Sequence, residues 1–95
     1  MIRVAADTLL LEGAVNLGTV SGLLAEGAAH LRAGASVVDF SAASQIDSSA
    51  LALILEWMRQ AKALGGSLRL VNAPPSLLNL AELYGLEHIL TSERR

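Results

Sequence analysis

The chain contains no cysteine, and its other scarce residue types set the first limits on its chemistry. Without cysteine it cannot form a disulfide, a catalytic thiolate or a cysteine-ligated zinc site. One phenylalanine, one tryptophan and one tyrosine occur in 95 residues, so the core must consist mostly of leucine and alanine. The formal net charge is -2, and no block of lysine or arginine is present. We therefore expect no nucleic-acid binding, because that function requires a concentrated basic surface.

Long hydrophobic segments are also absent from the sequence. The longest apolar run, Ala50–Leu55, is far shorter than the ~20 residues that a membrane-spanning helix needs. The first four residues, Met1-Ile-Arg-Val, lack the pattern of a signal peptide. We therefore expect a cytoplasmic protein with no direct membrane insertion. With 53% apolar residues, the 95-residue chain has enough material for one domain with its own core.

The stretch from Ser36 to Trp57 is the most informative part of the sequence. Its apolar start, Val37–Phe40, predicts a buried strand, and the polar residues that follow predict a short loop. Asp47 then precedes two serines and an apolar run, which predicts that its carboxylate caps a helix beginning at Ser48. We expect this helix to continue to about residue 64, where two glycines end it. Two hydroxyl groups would thus lie in the first turn of a helix, beside a carboxylate.

Hydrophobic periodicity predicts elements in the order β-β-α-β-α-β-α along the chain. The predicted strands are Ile2–Ala5, Thr8–Glu12, Val37–Phe40 and Ser67–Val71. Three helices are predicted: the first is capped by Asn16, the second begins at Ser48 and the third begins at Ser76. A short segment at Glu87–Leu90 follows, and residues 91–95 are predicted to form a frayed tail. This order requires crossovers between strands. We expect an α/β fold with a mixed sheet of about four strands and about three to four helices.

The predicted helix from Ser48 carries an apolar arc of roughly 200°, wider than the ~100° stripe of an ordinary surface helix. Either neighbouring elements bury both edges of this arc, as in an ordinary core, or one edge meets a partner. Leu53 and Trp57 border the polar strip of the helix, and tryptophan is favoured at protein interfaces. Our hypothesis is that Ser48, Ala52, Leu53, Glu56 and Trp57 contribute to a docking surface.

Catalysis by the serines of this junction is the alternative that the sequence disfavours. Asp47 could act as a base for Ser48, but adjacent residues rarely adopt that geometry, and capping explains the carboxylate. No nucleophile-elbow sequence surrounds Ser48, and His30 and His88 are distant in the sequence. A phosphate on Ser48 is physically plausible, because a helix N-terminus accommodates anionic charge. We therefore expect a regulatory or binding role rather than an enzyme.

Four motifs, in order and with close spacing, resemble the STAS domain family of anti-sigma-factor-antagonist-like domains. They are Leu11-Glu-Gly13, Val37-Val-Asp-Phe40, Asp47-Ser-Ser-Ala-Leu51 and Leu68-Arg-Leu-Val-Asn72. The resemblance covers nearly the whole chain, which we expect to form one STAS domain over residues 1–95. The runs Asp47–Trp57 and Leu80–Leu86 are similar to the MlaB-like branch, the small STAS subunits of the bacterial Mla phospholipid ABC transporter. The anti-sigma branch usually has glycine at the position of Ala50.

This resemblance implies a non-enzymatic accessory subunit without a cofactor, held at the inner membrane through the ATPase of the transporter. Such a subunit stabilises or regulates the ATPase and supports lipid asymmetry of the outer membrane. In the MlaB-like branch the position of Ser48 is thought to contact the ATPase, with Asp47 and Ser49 beside it. The alternative that the resemblance implies is an anti-sigma-factor antagonist. Its kinase partner, an anti-sigma factor, would phosphorylate Ser48.

Overall fold

A mixed four-stranded sheet organises residues 1–85, the part of the chain that the computed structural model describes. Its strands lie side by side in chain order: β1 (Ile2–Ala5), β2 (Thr8–Val15), β3 (Val37–Ile46) and β4 (Arg69–Val71). β1 pairs with β2 in antiparallel orientation, whereas β2 with β3 and β3 with β4 are parallel. The predicted α/β class and mixed sheet are confirmed.

Three helices occur in the described residues, and each follows one of the parallel strands. They are α1 (Val20–Arg32), α2 (Ser48–Ala63) and α3 (Pro75–Leu83). None of the three has the length and hydropathy needed to cross a bilayer. Gly65 adopts a φ of 87° just after α2, as expected for a glycine that ends a helix. The predicted Glu87–Leu90 segment and the tail at residues 91–95 lie outside the described residues.

The core lies between the sheet and the helices, and alternate strand residues supply its sheet side. Leu9, Leu11 and Val15 of β2 are fully buried, and Val38 of β3 packs beside them. This alternation follows from strand geometry, since successive side chains point to opposite faces of the sheet. Leu77 of α3 is also fully buried. One hydrophobic core thus joins the sheet to all three helices.

The start of α1 differs from the sequence prediction, because Asn16 does not cap this helix. Thr19 is the N-cap residue, and α1 begins at Val20. The Asn16 side chain instead accepts a hydrogen bond from the N–H of Gly18 at 3.0 Å, which forms a turn after β2. Leu17 therefore lies in this turn and not on the buried face of a helix, and its exposed fraction is 79%.

β3 is longer than predicted and continues to Ile46, through residues whose small and polar side chains predict a loop. These residues pair with β2, and the ladder shifts register twice. β3 therefore has one unpaired extra residue near Ser41 and another at Gln45, which adopts a φ of 45°. At the first bulge the Asp39 carboxylate accepts a hydrogen bond from the N–H of Ser41 at 2.8 Å. The side chain thus satisfies a backbone group next to the register shift.

The placement of Leu53 and Trp57 on a docking surface is wrong for this fold, because both side chains are buried. Their exposed fractions are 1% and 0%. The Trp57 ring packs against α1 at Gly27, where an added Cβ would lie 2.2 Å from Cζ2 of the ring. Trp57 Nε1 also points to the carbonyl oxygen of Leu24 at 3.4 Å. α1 therefore covers this edge of α2, so the wide apolar arc is explained there by ordinary core packing.

Candidate docking surface around Ser48

The candidate site lies at the edge of the sheet where the parallel strands end. The turn after β2, the junction between β3 and α2, and the connection from β4 to α3 all meet this edge. At this edge the N–H of Asp47 donates to the carbonyl oxygen of Val15 at 3.3 Å, which joins the ends of β2 and β3. Loops at the carboxyl ends of parallel strands are the usual place for binding residues in α/β folds.

The Asp47 carboxylate fixes the local geometry of this site. Its Oδ1 accepts hydrogen bonds from the N–H of Ser49 at 2.9 Å and from the Ser49 hydroxyl. Its Oδ2 accepts from the N–H of Leu17 at 3.1 Å, across the gap to the turn after β2. The hydrogen bond from the Ser49 hydroxyl is the main reason that the pKa of Asp47 is lowered, and the two backbone N–H groups add to it. The predicted N-cap is confirmed, and the same carboxylate also holds a second loop in place.

The two serines of the junction differ in what their hydroxyl groups do. Ser49 is half-buried, and its hydroxyl is engaged with Asp47. Ser48 is exposed at the first position of α2, and its hydroxyl has no hydrogen-bond partner among residues 1–85. Ser48 thus has the exposure that a partner contact or a modification requires, whereas Ser49 serves the fold.

The exposed strip of α2 continues from Ser48 through Ala52 to Glu56. Ala52 is exposed, and Glu56 is half-buried. The Glu56 carboxylate accepts hydrogen bonds from Arg59 Nε at 3.0 Å and from Gln60 Nε2 at 3.0 Å. The hydrogen bond from Arg59, followed by that from Gln60, lowers the pKa of Glu56 to about 2. The negative charge of Glu56 is therefore already matched within the helix.

An open groove of about 690 Å³ lies beside Ser48, between the start of α2 and α3. Two exposed apolar side chains form its rim, Leu83 with 76% exposed and Tyr84 with 59% exposed. The other lining residues are Ile46, Asp47, Ser48, Ser76, Asn79 and Leu80. No pattern within a single segment predicts this groove, because it forms only where α3 lies beside the start of α2. Leu17, whose N–H donates to Asp47, has an exposed apolar side chain in the turn after β2.

Asp39 stabilises the backbone near this edge of the sheet and is not part of the exposed surface around Ser48. Its Oδ1 accepts from the N–H of Ser41 and from Asn72 Nδ2, the latter at 3.0 Å. Burial raises the pKa of this carboxyl group, but the hydrogen bonds from Asn72 and Ser41 outweigh it and the net shift is downward. Asn72 has a φ of 58° directly after β4, so the carboxylate holds the chain at the point where it turns toward α3.

His30 does not lie at this junction. His30 is half-buried in the last turn of α1, and His88 lies outside residues 1–85. Within the described part of the chain, no three histidine, aspartate or glutamate side chains come together in a way that could hold a metal ion. The geometry therefore provides an exposed Ser48 hydroxyl beside a groove with exposed apolar side chains.

Comparisons with known proteins identify the family of this fold. The family model described as "Mlab, STAS domain" matches residues 2–91. No curated protein matches the sequence significantly.

Solved structures share the fold at low sequence identity. The unphosphorylated anti-sigma factor antagonist SpoIIAA is 22% identical with a TM-score of 0.73, covering 100% of this chain and 84% of that chain. Phosphorylated Bacillus SpoIIAA is 24% identical with a TM-score of 0.69, covering 100% and 87% respectively. A chain of the ATP-bound Acinetobacter MlaFEDB complex is 22% identical with a TM-score of 0.72, covering 90% and 92%.

Proposed function

Because the chain belongs to the STAS domain family, we propose that it is a non-enzymatic accessory subunit of an ABC transporter. It docks on the ATPase of a phospholipid transporter of the Mla type, on the cytoplasmic side of the inner membrane. Residues 1–95 form one STAS domain that needs no cofactor. By stabilising or regulating the ATPase, the subunit supports lipid asymmetry of the outer membrane. The description of the family model and the similarity to a chain of the MlaFEDB complex support this proposal.

The observation that carries the proposal is the fixed and exposed position of Ser48. The Asp47 carboxylate accepts hydrogen bonds from the N–H of Leu17 and from the N–H and hydroxyl of Ser49. Because these bonds already order the junction, it needs little rearrangement when a partner binds. Preorganisation of this kind reduces the entropy cost of association. Ser48, Ala52 and Glu56 form the strip that faces the ATPase, with Asp47 and Ser49 holding its first turn.

Docking at this surface regulates the ATPase by selecting among its conformations. A subunit that binds one ATPase conformation better than another shifts the population toward the first by its difference in affinity. The bound subunit also protects the folded ATPase against unfolding by mass action. Neither effect needs a chemical step in the STAS domain.

The second candidate is an anti-sigma-factor antagonist that is regulated by phosphorylation of Ser48. The exposed hydroxyl of Ser48 in the first turn of α2 favours it, because a phosphate there would meet the positive end of the helix. The same phosphate would also stand next to the negative charge of Asp47, so it would change the electrostatics of the docking surface. In this alternative the partner is an anti-sigma factor kinase.

Affinity purification of the tagged full-length protein from its native host separates the two candidates. The proposed function predicts recovery of an ATPase together with a permease, without any requirement for a phosphate on Ser48. Recovery of a serine kinase without transporter subunits, and loss of that kinase in Ser48→Asp, would establish the alternative and overturn the first proposal.

A further inference from the structure

The groove beside Ser48 is lined in part by apolar side chains that the fold leaves exposed. Leu83 and Tyr84 are more than half exposed at its rim, whereas Ile46 and Leu80 pack only partly into the protein beneath. Covering an apolar side chain is favourable by about 25 cal/mol for each Å² removed from water. The groove therefore combines exposed apolar side chains with polar lining residues, the mixed composition of a protein interface.

The charge of the groove restricts what can fill it. Asp47 is the single charged residue among its lining residues. A carboxylate has about four acceptor positions, two on each oxygen. Oδ1 of Asp47 accepts two hydrogen bonds and Oδ2 accepts one within the described structure, so one acceptor position on Oδ2 remains for a donor from a partner. A lysine or arginine of the partner would satisfy this position and match the charge.

The same charge disfavours two other occupants. A second copy of the chain docked through this groove in a two-fold arrangement would bring two Asp47 carboxylates toward each other, which is unfavourable. An anionic membrane surface would be repelled by Asp47, and the groove lining carries no lysine or arginine to attract it. A protein segment with an apolar side chain and a neighbouring basic residue fits both features.

We infer that the groove between the start of α2 and α3 receives an apolar side chain of the ATPase, with a neighbouring lysine or arginine that pairs with Asp47. This inference rests on the proposed function, since it specifies how the ATPase meets the Ser48 surface. Leu83 and Tyr84 provide the apolar contact, and Asp47 provides the charge. The interface therefore extends across α3 and is wider than the exposed strip of α2.

Titration calorimetry of the full-length protein against the purified ATPase subunit tests the groove. Leu83→Gln should weaken binding by tenfold or more, because a leucine side chain loses its apolar contact. The matched control is Leu64→Gln, an exposed leucine at the other end of α2, roughly 24 Å along the helix from Ser48. Leu64→Gln should bind within twofold of the unmodified protein. Both variants should keep the thermal unfolding midpoint, because both leucines are exposed.

The outcomes separate the groove from the proposed function. If the unmodified protein does not bind the ATPase, the proposed function fails and the groove has no such occupant. If it binds, and Leu83→Gln binds equally well, only the groove inference is wrong. A Leu83-dependent dimer in sedimentation, or Leu83-dependent binding to anionic phospholipid vesicles, would assign the groove to a second copy or to a membrane and overturn the inference.

A salt titration tests the charge of Asp47 separately. Salt should weaken ATPase binding less in Asp47→Asn than in the unmodified protein, because salt screens the attraction between Asp47 and a basic residue of the ATPase.

Discussion

The middle and the beginning of α2 use their side chains for different purposes. In the middle, Trp57 is fully buried and its ring fills the space that Gly27 leaves on α1. At the beginning, Ser48 is exposed and the hydrogen bonds of Asp47 hold the surrounding loops. One helix therefore combines a packing contact that stabilises the fold with a rigid end that is open to a partner. Changes in the middle should alter stability, and changes to the exposed Ser48 at the beginning should alter binding.

The largest expected effect is loss of stability in Gly27→Ala. The added methyl group would overlap the Trp57 ring, so the helices must move apart or the ring must leave its position. Overpacking of this kind costs typically 1–3 kcal/mol, and we expect about 3 kcal/mol here. Chemical denaturation measures the free energy of unfolding directly.

Gly22→Ala is the matched control on the same helix. An added Cβ at Gly22 meets no atom within 4 Å, so only the higher helix propensity of alanine remains. We expect stabilisation of about 0.5–1 kcal/mol. Equal effects of the two substitutions would show that Trp57 does not pack against Gly27.

The next effect concerns the beginning of α2 and is a loss of binding. Ser48→Gln adds bulk at the centre of the docking surface, and we expect ATPase affinity to fall about tenfold, which corresponds to about 1.4 kcal/mol. Its control is Ser21→Gln, an exposed serine in the first turn of α1. Surface substitutions usually change stability by less than about 0.5 kcal/mol, so both variants should unfold like the unmodified protein. A loss of binding in both variants would argue against a specific role of Ser48.

Ser49 and Ser48 provide a smaller contrast within the same turn. Ser49→Ala removes the hydroxyl that bonds to Asp47, and we expect a loss of about 1 kcal/mol in the free energy of unfolding. Ser48→Ala removes an exposed hydroxyl and should change it by less than about 0.5 kcal/mol. Urea titrations of the two variants compare them. A larger loss in Ser48→Ala would mean that its hydroxyl supports the fold.

The smallest expected effect is the pH dependence that Glu56 contributes. Its pKa is about 2 in the folded protein, below the ordinary 4.5 of the unfolded chain. Its stabilisation is therefore complete above pH 4.5 and is lost as the pH falls from 4.5 toward 2. Glu56→Gln lacks this contribution, so its urea midpoint should fall less than that of the unmodified protein over this range. Parallel curves would show that the Arg59 and Gln60 contacts do not stabilise the folded state.

The sequence was sufficient where the determining contacts are local. The capping role of Asp47 depends on the N–H of Ser49, two residues further along the chain. The end of α2 at Gly65 depends on one glycine with a positive φ. Hydrophobic periodicity also predicted the order of strands and helices, which the structure confirms. The matching family model confirms the resemblance to the STAS domain family.

Prediction from the sequence failed where distant residues decide the outcome. The burial of Trp57 depends on Gly27, which lies on another helix. From the sequence alone, Gly27 is only a residue with low helix propensity. The exposure of Leu17 depends on Asn16 bonding within a turn and on Asp47 accepting from the Leu17 N–H. The length of β3 depends on pairing with β2 through two register shifts. No local pattern in one segment contains this information.

Hydrogen–deuterium exchange of the full-length protein, with and without the ATPase subunit, most directly tests the claim that the Ser48 end is the docking surface. We expect protection upon binding at the start of α2, in the turn around Leu17 and at the end of α3. The opposite end of α2, near Leu64, should exchange at the same rate in both states. Protection confined to that opposite end, or no protection at all under saturating ATPase, would contradict the proposed docking surface.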